Sequence, residues 1–210
     1  MSRAPIFTVG HSDRSWEELV EALTNCEIQF VVDVRTTPYS NRYPQFNIDV
    51  LREALPRNGL KYLHLGAALG ARPSDPRLLD GEGRVWYPKV RQTPEFQAAI
   101  GRVEKGADSG YRLALLCMEA HPCECHRLPM IAYQLTRDGY EVRHILRDGT
   151  VRSHAEIESE LLDRFANKIP QPGLFQRNIG RAEQLEAAYA QLNLVIGWKP
   201  REKAEADDRA

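Results

Sequence analysis

The sequence predicts an α/β fold, with a mostly parallel central sheet, helices on both faces, and a C-terminal helical extension. Three observations predict it. Apolar runs at residues 6–9, 30–34, 60–65, 112–117 and 141–146 alternate with stretches of helical spacing. The runs at 30–34 and 112–117 are nearly unbroken, as in strands covered on both faces. Helix-start signals recur between the runs, at Ser15 with Glu18 and at Thr93-Pro94-Glu95.

Residues 6–9 form a short strand that ends in Gly10-His11-Ser12. Ser15 and Glu18 make a capping box, and Trp16, Leu19, Val20 and Leu23 recur at the spacing of one helix face. The strand at 30–34 leads to Arg35, and residues 36–44 are loop by composition. A short helix over 48–55 is expected to stop near Pro56, before the strand at 60–65. Residues 66–88 carry glycine and proline throughout and read as a long excursion, a length that usually covers or forms a site. Thr93 caps a helix whose inner face is Phe96, Ala99, Ile100 and Val103. The strand at 112–117 is followed by a compact loop over 118–125, a helix with Leu128, Ile131, Ala132 and Leu135 inward, and the strand at 141–146. Beyond Gly149 the pattern turns helical: Ser153 and Glu156 cap one helix, residues 170–173 break it, and 180–194 form another. The expected division is an α/β domain over 1–150, a helical extension over 151–198, and a frayed, charge-rich tail over 199–210.

A chain of 210 residues, 42% hydrophobic and 27% charged, supports a substantial core. The net charge of -1 excludes a strongly basic nucleic-acid coat but not a local basic groove. No stretch reaches the roughly 20 apolar residues of a spanning helix, and no secretory leader pattern is seen; the expectation is a cytoplasmic protein with no membrane partner. Three of the four cysteines fall within residues 117–125, which fits reduced thiols, a reactive site or a metal site better than a disulfide framework.

That segment reads Cys117-Met118-Glu119-Ala120-His121-Pro122-Cys123-Glu124-Cys125-His126-Arg127. A thiol at a strand end, before a helix start, is a place where sulfur is acidified and anions bind. Cys117 or Cys125 is the candidate nucleophile or redox thiol, His126 or His11 the acid–base group, and Glu119 an orienting carboxylate. Arg35 and Arg127 are the candidate anion holders, because an arginine leaving a buried strand needs a paired charge or a ligand. Ser12, Ser40, Arg42 and Tyr87 are further candidate ligand contacts. No cofactor is required by these residues. Zinc or iron is an alternative, with Cys117, Cys123, Cys125 and His126 as ligands and His121 as a substitute, although the Cys-x-Cys-His spacing is cramped. Interior packing of Cys117 and simple capping by Cys125 and His126 are the plain structural alternatives.

The motifs Thr8-Val9-Gly10-His11-Ser12, Val32-Asp33-Val34-Arg35 with Pro38 and Ser40, Tyr62-Leu63-His64-Leu65, Leu116-Cys117-Met118-Glu119, Cys125-His126-Arg127 and Val142-Arg143-His144-Ile145 together resemble the domain-of-unknown-function 488 family over about residues 6–150. Cys123 lies outside that family pattern, and Ser40-Asn41-Arg42 is displaced by one residue from the pattern's serine–arginine pair. The architecture also resembles rhodanese-like sulfurtransferases and cysteine phosphatases, which place a cysteine after a central strand; their arginine-closed loop is shorter than the stretch from Cys117 to Arg127.

The expected partner is an anionic small molecule, phosphate-bearing, or a nucleic acid, and the residues leave open whether a reaction takes place. The alternatives are a non-enzymatic nucleic-acid module and a metal-stabilised structural domain. The first would use Arg42, Arg57, Lys61, Arg72, Arg77, Lys89 and Arg91 beside Tyr39, Tyr43 and Trp86.

Overall fold

Parallel strands buried on both faces form the centre of the molecule, and the computed structural model describes residues 3–171 and 179–200. The strands are β1 (Ile6–Gly10), β2 (Phe30–Asp33), β3 (Lys61–His64), β4 (Leu113–Cys117), β5 (Val142–Ile145) and β6 (Val151–Ser153). Their spatial order is β3-β2-β4-β1-β5-β6, parallel throughout except for the antiparallel β5–β6 pair. The helices are α1 (Trp16–Asn25), α2 (Ile48–Arg57), α3 (Gly66–Leu69), α4 (Tyr87–Arg91), α5 (Pro94–Asp108), α6 (Tyr133–Arg137), α7 (His154–Arg164) and α8 (Arg181–Ile196). None of the described helices is long and apolar enough to cross a membrane.

Side-chain alternation divides the core into two layers. Phe7, Val9, Val31, Ala114 and Leu116 pack under α1 and α2, against Leu19, Leu23, Leu51 and Leu55. Ile6, Val32, Leu113, Leu115 and Cys117 face the other way, toward α3 to α8. Each fully buried leucine in these layers contributes about 2 kcal/mol of transfer free energy. The same parity sends Cys117 to the thicker, α5-bearing side of the sheet.

Connections leave β1 toward β2 and leave β4 toward β5, in opposite directions across the sheet. The carboxyl ends of these neighbours therefore lie at a switch point, with Gly10 registered on Cys117. Gly10 permits the crossing there: a Cβ would collide with the carbonyl oxygen of Glu119, so only glycine lets the loop after β4 pass so close to β1.

Two expectations need correction. The strand β6 was not foreseen, because three residues give no readable alternation. The helix expected over 48–55 runs on to Arg57 and so ends near Pro56, as expected; Pro56 sits in its last turn, where it leaves the Arg52 carbonyl without the N–H four residues on. The excursion over 66–88 is built around α3, a 3₁₀ turn at Pro76–Leu78 and the start of α4. Of the break expected at 170–173, residues 172 and 173 lie outside the described residues, as does most of the tail, from 201 onward.

The 151–198 segment extends the same core. Ile157, Leu161, Phe165, Ala188, Tyr189 and Leu192 join the layer that contains Cys117. A buried polar line also pins it to the sheet. Thr8 Oγ1 lies 2.8 Å from His144 Nδ1, His144 Nε2 lies 3.2 Å from His154 Nδ1, and His154 Nε2 lies 3.0 Å from the Tyr189 hydroxyl, which donates to Glu158 at 3.0 Å. Because a carboxylate only accepts, every proton in the line is directed: Thr8 to His144, His144 to His154, His154 to Tyr189, Tyr189 to Glu158. Asn193 adds a clamp, accepting from the Tyr87 N–H and donating to the Val85 carbonyl, both at 2.8 Å.

Candidate functional site

Above the carboxyl ends of β1, β2 and β4 lies a cavity of about 190 Å³. Its floor is Cys117, Glu119 and His126; its walls include His11, Arg35 and Tyr87. Arg72, Ile196 and Trp198 complete its rim.

The floor follows from local structure. Cys117 ends β4, and a 3₁₀ turn at Pro122–Glu124 returns the chain so that Cys125 and His126 come back beside it. The helix that follows opens as a π-helix over Arg127–Ala132. Pro129 is a cause: it has no N–H to give the Cys125 carbonyl, which takes the Leu128 N–H instead, at 3.2 Å. Cys117 Sγ lies 2.9 Å from Glu119 Oε2, and the sulfurs of Cys117 and Cys125 each lie 3.7 Å from His126 Nδ1. The donor atoms of all four residues fall within 4.8 Å of one another. His126 Nε2 sits 3.1 Å from the Leu69 carbonyl, an acceptor only, so that nitrogen carries a proton in either charge state and Nδ1 is the ring atom that faces the sulfurs.

Burial pushes the Cys117 thiol up, but the hydrogen bond with Cys125 and the charges of His126 and Arg127 outweigh it and hold it well below the ordinary thiol range. Burial and the neighbouring Cys117 hold Cys125 well above that range. Burial, then the charge on Cys117, also raises the Glu119 carboxyl. Against the opposing effect of burial, Cys117 and Glu119 raise His126.

A second network forms the opposite wall. Arg35 grips Asp33 through Nε at 2.9 Å and Nη2 at 2.6 Å, and donates to the Phe46 carbonyl at 2.8 Å. Its Nη1 lies 3.1 Å from His11 Nε2; arginine can only donate, so His11 accepts there and holds its proton on Nδ1, toward the Ser12 carbonyl. Burial, then the charge of Arg35, lowers the His11 pKa to about 4, so the ring is neutral. Among the described residues, one N–H of Arg35 Nη1 has no protein partner.

The structure brings together His11, Arg35, Ser40, Tyr87, Cys117, Glu119 and His126 around the cavity, with Cys125 behind His126. It places three other candidates elsewhere. Arg127 is fully buried, and its Nη1 and Nη2 donate to the carbonyls of Glu119 and Ala120 at 2.7 and 2.8 Å. It is the clamp of the loop, not a lining residue, because those carbonyls have no other strand to pair with. Ser12 lies outside the cavity lining, with φ of 47° and its N–H on the Met118 carbonyl. Arg42 also lies outside it, exposed and over the Tyr43 ring. Ser40 uses its hydroxyl to accept from the N–H groups of Arg42 and Tyr43, and Tyr87 spends its hydroxyl on the Ile196 carbonyl at 3.3 Å.

Cys123 does not join Cys117 and Cys125; it groups with His121 and Glu160, so the metal set expected from sequence exchanges Cys123 for Glu119. The expected basic stripe is largely engaged locally. Arg57 pairs with Glu53, Arg77 pairs with Asp75, Lys89 binds the carbonyls of Arg77 and Leu79, and Arg91 binds the Pro129 carbonyl. Sequence reasoning missed Ile196 and Trp198. Their one signal was apolar character on either side of Gly197, where the last helix ends.

The family model described as "Domain of unknown function DUF488" matches residues 15–133. No curated protein matches the chain. Among solved structures, a DUF442 protein of Shewanella putrefaciens CN-32, described provisionally as a phosphatase, is similar with 12% identity and a TM-score of 0.34, over 94% of this chain and 93% of that one. A likeness at that level carries no argument about function.

Proposed function

This chain belongs to the DUF488 family, and from that premise we propose that it binds and acts on a small phosphate-bearing ligand, such as a nucleotide or a nucleic-acid end, in the cavity above Cys117. The observation that supports this reading is the grouping of Cys117, Glu119, Cys125 and His126 beside a cavity whose lining includes Arg72 and Arg35, the latter with its remaining N–H. A cavity of about 190 Å³ is smaller than the usual ligand pocket of about 300–1,000 Å³, so the guest is small or only partly enclosed. In this reading Arg72 and Arg35 attract the anion, and the hydroxyls of Thr36 and Thr37 offer it hydrogen bonds. Glu119, 2.9 Å from the Cys117 sulfur, is the group placed to carry a proton.

Thermal-shift measurements with phosphate, sulfate, mono- and dinucleotides and short DNA test the binding half. A phosphate-bearing compound is expected to stabilise the protein, and Arg72→Ala to weaken that compound about tenfold, or about 1.4 kcal/mol. Absence of any such compound, or full retention of it in Arg72→Ala and Glu119→Gln, defeats the reading. Turnover of the compound that binds, lost in Cys117→Ser, tests the reaction half.

A further inference from the structure

We infer that Cys117, Cys125, His126 Nδ1 and Glu119 form a binding site for a soft divalent metal ion of the zinc class. The inference concerns the cluster at the base of the proposed ligand cavity but stands without the anionic guest.

The donor set is the first ground. Two sulfurs, one imidazole nitrogen and one carboxylate oxygen are the ligand types that zinc takes in tetrahedral sites, and sulfur disfavours magnesium and calcium. The spacing is the second. With bonds of about 2.3 Å to sulfur and about 2.05 Å to nitrogen, a tetrahedral site sets sulfur and nitrogen about 3.6 Å apart. Both sulfurs lie 3.7 Å from His126 Nδ1. The Glu119 oxygen, at 2.9 Å from Cys117, is closer than a tetrahedral edge and would draw back by some tenths of an ångström when an ion replaces the thiol proton between them.

The surroundings are the third ground. His126 is locked by its bond to the Leu69 carbonyl in the tautomer that frees Nδ1, the usual support of a metal-bound histidine. The Arg127 N–H points to the Cys125 sulfur at 3.5 Å, a contact that favours thiolate over thiol. Arg127, by holding the carbonyls of Glu119 and Ala120, fixes the return of the loop and hence the place of Cys125. As the ion enters, whatever protons the two sulfurs and Glu119 still hold go to solvent, so the two thiolates neutralise its charge.

The neighbouring group of His121, Cys123 and Glu160 is a contrast within the same loop. His121 Nδ1 already accepts the Cys123 N–H, its Nε2 lies 3.3 Å from Glu160, and Glu160 also holds Arg152 at 2.8 Å. That group offers one sulfur and its carboxylate is shared with an arginine, whereas the cluster around His126 offers two sulfurs, an imidazole nitrogen and a carboxylate within 4.8 Å of one another.

Cobalt(II) titration of the full chain, reduced and stripped with chelator, tests the inference. Expected are one equivalent bound, sulfur-to-cobalt charge-transfer absorption, the intense visible bands of tetrahedral cobalt, and displacement by zinc. Cys117→Ser and Cys125→Ser should each lower affinity at least about 100-fold, while Cys123→Ser leaves it unchanged. Should the serine variants fail to fold, alkylation mapped on the unaltered chain decides: one equivalent of zinc must protect Cys117 and Cys125 and leave Cys26 and Cys123 as reactive as before. Octahedral cobalt spectra, binding that survives in both serine variants, or equal alkylation with and without zinc would overturn it. Cobalt binding without any response to phosphate compounds defeats the proposed function and leaves the metal site standing; the reverse result does the opposite.

Discussion

Two buried histidine networks flank the middle of this sheet, and they are finished differently. In the line from Thr8 through His144, His154 and Tyr189 to Glu158, each ring nitrogen has a partner and each proton a direction. Around His126 one ring nitrogen is anchored on Leu69 and the other faces two sulfurs, with a carboxylate alongside. A network of hydroxyls and imidazoles closed on a carboxylate stabilises and does little else; two sulfurs, an imidazole nitrogen and a carboxylate within 4.8 Å of one another can take a guest. The difference teaches that burial of polar groups, common to both, does not identify a site. What distinguishes the site is the kind of atoms brought together and their place beside a cavity.

The largest effect should come from breaking the completed line. His144→Leu leaves the Thr8 hydroxyl and His154 Nδ1 buried without partners, at about 1–3 kcal/mol each. A loss of about 3 kcal/mol in urea unfolding is expected, with cobalt binding intact. A smaller loss follows from acid. Burial first, then the neighbouring His154 and the more distant Arg127, His121 and Arg152, holds His144 well below its ordinary pKa. The unfolded chain therefore takes up a proton near pH 6.5 that the folded chain refuses, and stability falls as pH drops through that range, by up to about 1.4 kcal/mol per unit. His144→Leu should remove this part of the slope; an unchanged slope would assign it to other groups.

Cys125→Ala sharpens the comparison from the other side. Its cost should be near 1 kcal/mol, since free cysteine packs as a small hydrophobe, yet it should abolish the tetrahedral cobalt spectrum. If it costs as much stability as His144→Leu, the contrast between the two networks fails. Arg42→Ala, exposed and away from the cavity, should change unfolding by less than about 0.5 kcal/mol and ligand response not at all.

Much of the fold was legible because it rests on local signals. The capping boxes at Ser15 and Ser153 form as the sequence predicts, and the apolar runs over 30–34 and 112–117 contain adjacent parallel strands. The meeting of Arg35 and Cys117 at one sheet edge followed from those strand ends. The role of Arg127 was not legible, because its partners are backbone carbonyls of a loop, and carbonyls carry no residue identity. The exchange of Cys123 for Glu119 was hidden for a related reason. The 3₁₀ turn decides which of two cysteines, one residue apart from Glu124 on either side, returns to the strand end.

Trp198 and Ile196 stand at the cavity rim, yet both lie far beyond the stretch matched by the family model. Relatives that share the thiol-bearing loop but differ downstream would set the same chemical floor beneath a different ceiling. Contacts to a guest can thus drift with the last helix while the cysteine-bearing loop stays put, and removing residues 196–198 would open the chamber on that side.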